Sequence, residues 1–256
     1  MAYNLAELKE DLMKPPRICI YGGHGVGKTT LACGAEKPFL INLEDGIPQK
    51  LFGMVRNEIP TNYAECMDLL RALYTQDHEY KTVIIDTVDK LESFMARKVC
   101  QENGWTDVSD SPYRSANNKM SALWDHSILP GLDLLREKGM TIILLSHSKI
   151  TQVKDPLLPE YDKHTPHLNK REMETVPDWC DFVGYAIVKT YTVSEGKRTL
   201  ATTAGEHVIL THSNPAYTAK TRYEMSDEIP MVWSEVAKYL YPTEPQTTTK
   251  KTNEEN

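Results

Sequence analysis

Gly22-Gly23-His24-Gly25-Val26-Gly27-Lys28-Thr29 meets the phosphate-binding pattern G-x-x-x-x-G-K-[ST] at every fixed position. Its neighbours have the character that the pattern requires. Arg17-Ile18-Cys19-Ile20-Tyr21 before it is a short β-prone run, and Thr29 to Ala35 after it reads as a helix. Glycines let the backbone wrap so that N–H groups converge on phosphate oxygens. A helix that opens at the loop adds its positive end. On this reading Gly22, Gly23, His24, Gly25, Val26, Gly27 and Thr30 line the phosphates. Lys28 reaches the β- and γ-phosphates, and the Thr29 hydroxyl binds Mg²⁺. A glycine-rich turn without a ligand would not need strand, loop and helix in this order.

Outward from the loop, the chain alternates between buried strands and amphipathic helices. Pro38 to Leu43 reads as a second strand, ending in Glu44-Asp45-Gly46, with Asp45 as a turn residue. Thr82 to Asp86 is a third and Met140 to Leu145 a fourth, ending in Ser146-His147-Ser148. Continuous apolar runs of this kind suit a parallel sheet covered on both faces. Thr61 to Tyr74, Val88 to Gln101, Lys119 to Glu137 and Val232 to Leu240 read as helices, with a polar stretch over 102–118. Lys149 to Pro177 reads as a long polar loop, a length that points to function or disorder. Phe182 to Val193 and Arg198 to Thr203 read as a hairpin around Ser194-Glu195-Gly196-Lys197, and His207 to His212 as a further strand. The expected fold is α/β: a mostly parallel central sheet flanked by helices, with antiparallel β structure toward the C-terminus. Leu5, Leu8 and Leu12 mark a helix within 1–16, stopped by Pro15-Pro16. One domain spans 17–241, and 242–256 has too little to bury and reads as a disordered tail.

Composition narrows the classes. No apolar run reaches the length of a membrane span, and the N-terminal residues do not form a signal peptide. Five scattered cysteines without a C-x-x-C pair argue for a reducing cytoplasm, against a disulfide framework and against structural zinc. A net charge of −7 means that nucleic acid would have to be held by a local basic site.

Two acids carry further chemistry. Asp86 closes an apolar strand downstream of the loop, where a phosphate-loop NTPase holds Mg²⁺; an N-cap for the following helix is the plainer alternative. Hydrolysis also needs a carboxylate that orients water. Thr87 and Val88, rather than an acid, follow Asp86, so the other place for it is the end of the strand after the phosphate-loop helix, where Glu44 and Asp45 stand and Glu44 is favoured.

The segments Gly22–Thr30, Leu40–Glu44, Val83–Asp86 and Ile142–His147, in that order, resemble the RecA-type recombinase core. They resemble in particular the short phage-encoded RecA-like ATPases that anneal or recombine single strands. The resemblance covers about Arg17 to Pro230. It implies an ATPase that uses ATP and Mg²⁺, binds single-stranded DNA and assembles head to tail with ATP between subunits, in the host cytoplasm if phage-encoded. It implies Glu44 as the catalytic carboxylate. It implies His147 as the γ-phosphate sensor, where the family normally has Gln. It implies a mobile DNA-binding loop over Ser148–Arg171 and an earlier one over Gly104–Asn118. Lys220 and Arg222 would be basic residues supplied in trans to the neighbour's γ-phosphate; solvated surface charge is the plainer alternative.

The later loop sets Lys149, Lys154, Lys163, Lys170 and Arg171 against Asp155, Glu160 and Asp162, an excess of two positive charges. Tyr161, His164 and His167 would stack on bases, and Arg114 is the basic residue of the earlier loop. His164-x-x-His167 lacks further ligands at metal spacing. Trp105 suits the core as well as a stacking platform. Two other functions stay open: a nucleotide-gated loader or scaffold that switches a protein partner, and a small-molecule kinase, which the sequence supports least because it lacks an Arg-rich lid.

Overall fold

The computed structural model describes residues 13–44, 46–53, 56–157, 159–195 and 198–241. Most of the expected N-terminal helix, the turn residue Asp45, the tip of the hairpin at 196–197 and the expected tail lie outside the described residues.

The apolar runs form the strands that they announce. They are β1 (Arg17–Gly22), β2 (Pro38–Asn42), β4 (Thr82–Asp86) and the start of β5 (Thr141–Val153), while the polar β3 (Arg56–Glu58) beside β2 was not expected. β6 (Tyr161–Pro166), β7 (Phe182–Glu195), β8 (Arg198–Leu210), β9 (Lys220–Thr221) and β10 (Glu228–Pro230) follow. The sheet order is β10-β8-β7-β1-β5-β4-β2-β3, with β6 paired to the far end of β5 and β9 to the start of β7. β3, β2, β4, β5, β1 and β7 run parallel; β8, β10, β6 and β9 are antiparallel to their neighbours.

Helices cover both faces. α2 (Tyr63–Thr75), α3 (Val88–Asn103), α4 (Ser115–Leu123), α5 (Leu129–Glu137) and α6 (Glu172–Trp179) lie on one side; α1 (Lys28–Ala32) and α7 (Trp233–Leu240) lie on the other. Successive strand residues alternate between faces. Cys19, Tyr21, Val83, Ile85, Ile142 and Leu144 pack under α2 to α6, while Ile18, Ile20, Ile84, Ile143 and Leu145 pack under α1 and α7. This double cover is why the strands are apolar almost throughout. All five cysteines are buried and free, and burial pushes the Cys19 thiol up to about 12.

Four expectations need correction. The stretch after His147 is not a loop. β5 continues to Val153 and pairs with β6 from Ser148↔Pro166 to Val153↔Tyr161, and α6 follows. β-branched Ile150, Thr151 and Val153 favour extension, and Pro156 and Pro159 confine the reversal to a short turn. The polar stretch before Asn118 is likewise not an open loop: 3₁₀ turns at Val108–Asp110 and Pro112–Arg114 lead into α4. The helix expected over Lys119 to Glu137 is two, joined by a π turn at Trp124–Ile128, because Pro130 has no N–H for the ladder. His207 and its neighbours extend β8 across a bulge at Val188/Thr190, where Gly205 takes φ 72°, rather than starting a new strand.

Candidate nucleotide-binding and catalytic site

β1 delivers the loop at the C-terminal edge of the sheet. The close fit begins at Gly22, where a Cβ would lie 2.3 Å from the Ala186 carbonyl oxygen on β7. It ends at Gly27, which caps α1 with φ 105°, a conformation that glycine adopts without strain. α1 has only five residues, so the loop's amides matter more than the helix dipole. Lys28 is buried, and its Nζ donates to the carbonyls of Gly22 (3.1 Å) and Gly23 (2.9 Å). Burial lowers the Lys28 pKa, opposed by the Asp86, Glu44 and Asp89 carboxylates.

β5 lies between β1 and β4, and the register aligns Gly22 with His147 and Asp86 with Leu145. The ends of three adjacent strands therefore meet over one cleft of about 610 Å³. The Thr29 hydroxyl donates to Asp86 Oδ2 at 2.6 Å. Burial raises the Asp86 carboxyl, and the hydrogen bond from Thr29 offsets part of that rise. A hydroxyl and a carboxylate in contact beside a phosphate loop are the oxygen donors that Mg²⁺ prefers, so these residues fit the ion. The Asp86–Thr87 peptide bond is cis.

Glu44 follows β2 directly. Asn42 shapes the turn: its Oδ1 accepts from the Glu44 N–H, and its amide donates to the Gly46 carbonyl. The Thr87 hydroxyl donates to Glu44 Oε1 at 3.1 Å. The Glu44 side chain stays 41% exposed, open to water.

His147 is held on three sides. Its Nδ1 lies 2.9 Å from Asp89 Oδ2 and 3.5 Å from Glu44 Oε1. Its backbone N–H donates to Asp89 Oδ1 at 3.0 Å. Its ring stacks on His24 of the phosphate loop, with centroids 3.8 Å apart. The Asp89 hydrogen bond raises the His147 pKa against the effect of burial. Burial pushes Asp89 the other way, but hydrogen bonds from the His147 ring and backbone hold it below the usual carboxylate range.

The sequence reading missed Asp89, Thr87 and His207. Asp89 stands in the first turn of α3, where an acid is ordinary, so nothing in the sequence marked it. His207 on β8 reaches the loop across the sheet, with Nδ1 2.7 Å from the Val26 carbonyl. Met231, Pro48 and Lys50 also line the cleft.

The remaining candidates lie elsewhere. Lys220 and Arg222 sit at the start of β7, the opposite end of the sheet from the loop, as Phe182↔Thr221 and Val183↔Lys220 place β9. Lys220 Nζ donates to the Pro177 and Asp178 carbonyls, and Arg222 pairs with Asp181 at 2.9 Å. Lys154 pairs with Glu160 across the β5–β6 turn, Lys149 donates to the Leu168 carbonyl, and Arg171 pairs with Asp125. Tyr161 and Lys163 are half-buried on β6, while Lys170 and Arg114 are exposed. Trp105 packs against the core. His164 stacks on Tyr185; among the described residues the cluster at metal-ligand spacing is Glu44, Asp89 and His147, without His164 or His167. Also among the described residues, no helix is long and apolar enough to cross a membrane.

Over 176 residues the sequence is 25% identical to the SPbeta prophage-derived uncharacterized protein YorG of Bacillus subtilis (strain 168). That match covers 66% of this chain and 49% of YorG, so the chain spans about half the length of the relative. The model of the AAA domain family matches residues 14–223, which include every residue of the cleft described above except Met231. That match supports nucleotide binding and ATPase activity. With the phosphate loop, the Thr29–Asp86 pair and Glu44 assembled inside the matched region, the chain belongs to the AAA domain family.

Proposed function

We propose that this protein is a RecA-like ATPase that binds single-stranded DNA, promotes annealing or recombination, and assembles head to tail with ATP between subunits. The observation that carries the reading is the continuity of β5. One strand holds His147 at the cleft and then runs on, without a break, into the β5–β6 hairpin. A change in what His147 touches is thereby delivered to a surface element. In the cleft, Lys28 and the loop amides bind the phosphates, and Glu44 orients and deprotonates water. Thr29 and Asp86 would hold Mg²⁺, which would supply charge stabilisation at the phosphates. The hairpin's Lys149, Lys154, Tyr161 and Lys163, with Lys170, Arg171 and Arg114, form the DNA surface of this proposal. Lys220 and Arg222 act on a neighbour's γ-phosphate only if they leave their present partners.

A second reading, a nucleotide-gated switch for a protein partner, is favoured by the hairpin's apolar exposure. Ile150 is 62% and Leu157 90% exposed, and apolar side chains of that kind suit a protein contact better than a phosphate backbone.

The deciding experiment is steady-state ATP hydrolysis with and without single-stranded DNA, with Lys28→Ala and Glu44→Gln as controls. The ATPase–DNA reading expects stimulation by DNA and a loss of at least ~100-fold in both variants. Turnover indifferent to DNA, with no DNA binding in any nucleotide state, overturns the DNA part and leaves the partner switch.

A further inference from the structure

Asp89 does more than an ordinary acid in the first turn of a helix. Its two oxygens are not spent on the free amides of α3: Oδ1 accepts the His147 backbone N–H at 3.0 Å, and Oδ2 lies 2.9 Å from the His147 Nδ1. An acid that grips one residue by both main chain and side chain fixes its place and the rotation of its ring together. A carboxylate facing Nδ1 also fixes the tautomer, because only the protonated nitrogen can donate to it. The Nε2 edge is then the free edge, on the ring that lines the cleft with Lys28, Thr29 and Glu44. The His24 ring covers one face of that imidazole and leaves the edge as its polar contact surface.

We propose that Asp89 is the positioning residue of the γ-phosphate site, holding His147 so that Nε2 meets the terminal phosphate of a bound nucleoside triphosphate. This inference rests on the nucleotide reading of the cleft. Nε2–H donates to that phosphate when the ring is cationic. The groups facing the ring are Asp89 from α3, Glu44 after β2, Asp86 at the end of β4, and Lys28 and His24 from the phosphate loop. Three carboxylates against one ammonium favour the cation. A triphosphate supplies the acceptor for Nε2–H and a diphosphate does not, so the contact reads the terminal phosphate. Because Asp89 also holds the His147 backbone, the reading is passed to β5 rather than absorbed by side-chain rotation.

The test is nitrogen NMR of the histidine side chains in the full-length chain, with His147→Gln to assign the signal. Spectra are taken alone, with Mg²⁺ and ADP, and with Mg²⁺ and the β,γ-imido analogue of ATP. The expected result is a His147 ring protonated at Nδ1 in every state, with the Nε2 signal moving toward the protonated form for the triphosphate analogue alone. Asp89→Asn abolishes that move and leaves a mixture of tautomers, while Asp89→Glu restores it in part. In turnover, Asp89→Asn lowers kcat by at least ~10-fold with KM for ATP within ~3-fold. An Nε2 signal blind to the triphosphate, or unchanged in Asp89→Asn, overturns the proposal even if hydrolysis is robust. A wild-type chain that binds the analogue and shifts Nε2 yet never hydrolyses ATP sinks the ATPase reading and leaves this one standing. Fluorescence titration of the analogue verifies that Asp89→Asn still binds it. If binding is lost, Asp89 is needed for the fold of the loop and the positioning role fails.

Discussion

At the scale of single residues, Glu92 is a buried acid whose chemistry differs from that of the cleft. Glu92 lies inside α3, accepting from the Trp124 indole at 3.3 Å and from the Asn169 N–H at 2.9 Å. Burial pushes its carboxyl up to about 8, with the Glu172 carboxylate adding to the rise and Lys149 opposing it. The folded pKa is above the unfolded value of about 4.3. Its contribution to stability is therefore complete below that value and lost as pH rises through about 8. Thermal unfolding from pH 5 to 9 is expected to show a loss on the order of 4 kcal/mol, roughly 8–16 °C, that Glu92→Gln lacks. The variant itself begins about 1 kcal/mol lower at pH 5, because one amide face cannot accept. Parallel pH slopes for the two proteins would refute the assignment. Such residues were invisible beforehand: Glu92 and Asp89 look like ordinary helix acids, and only the burial of α3 gives them a role. Lys28, Thr29, Asp86 and Glu44 were legible because backbone chemistry ties each to a strand end or a glycine turn.

At the scale of elements, two glycines show how the setting decides the sign of one substitution. Gly22 ends β1 against the Ala186 carbonyl, where a Cβ has no room and the neighbour is backbone. Gly131 lies within α5 with nothing close to its Cβ position. Gly22→Ala is expected to cost about 1–3 kcal/mol by prising β1 from β7. Gly131→Ala is expected to add about 0.5–1 kcal/mol through helix propensity. Urea unfolding of both variants checks this, and shifts of the same sign would refute it. Strands β1, β2, β4 and the start of β5 could be read from their apolar runs because both faces are covered, whereas the short polar β3 could not. The β5–β6 hairpin could not, because its residues are polar and mixed, and its extended form comes from pairing between distant segments. Propensity alone does not report such a pairing.

At the scale of the whole molecule, ligand and fold are linked by mass action. Mg²⁺ and ATP at about 100 times the dissociation constant should stabilise the chain by about 2.7 kcal/mol. For a chain of this size that is a rise in Tm of roughly 5–11 °C. Lys28→Ala should abolish most of the rise, and ATP without Mg²⁺ should give less of it. An equal rise with and without Mg²⁺ would remove Thr29 and Asp86 as the ion's holders.

The two ends of the sheet have a consequence of another kind. Both edge strands, β3 and β10, have only three residues, and β10 ends in Pro230, which has no N–H to offer. A foreign strand finds almost no ladder to extend at either end. At those two ends a second copy can join only through side chains, and the open ladders lie instead along the hairpins, on β6 and on the outer stretches of β7 and β8.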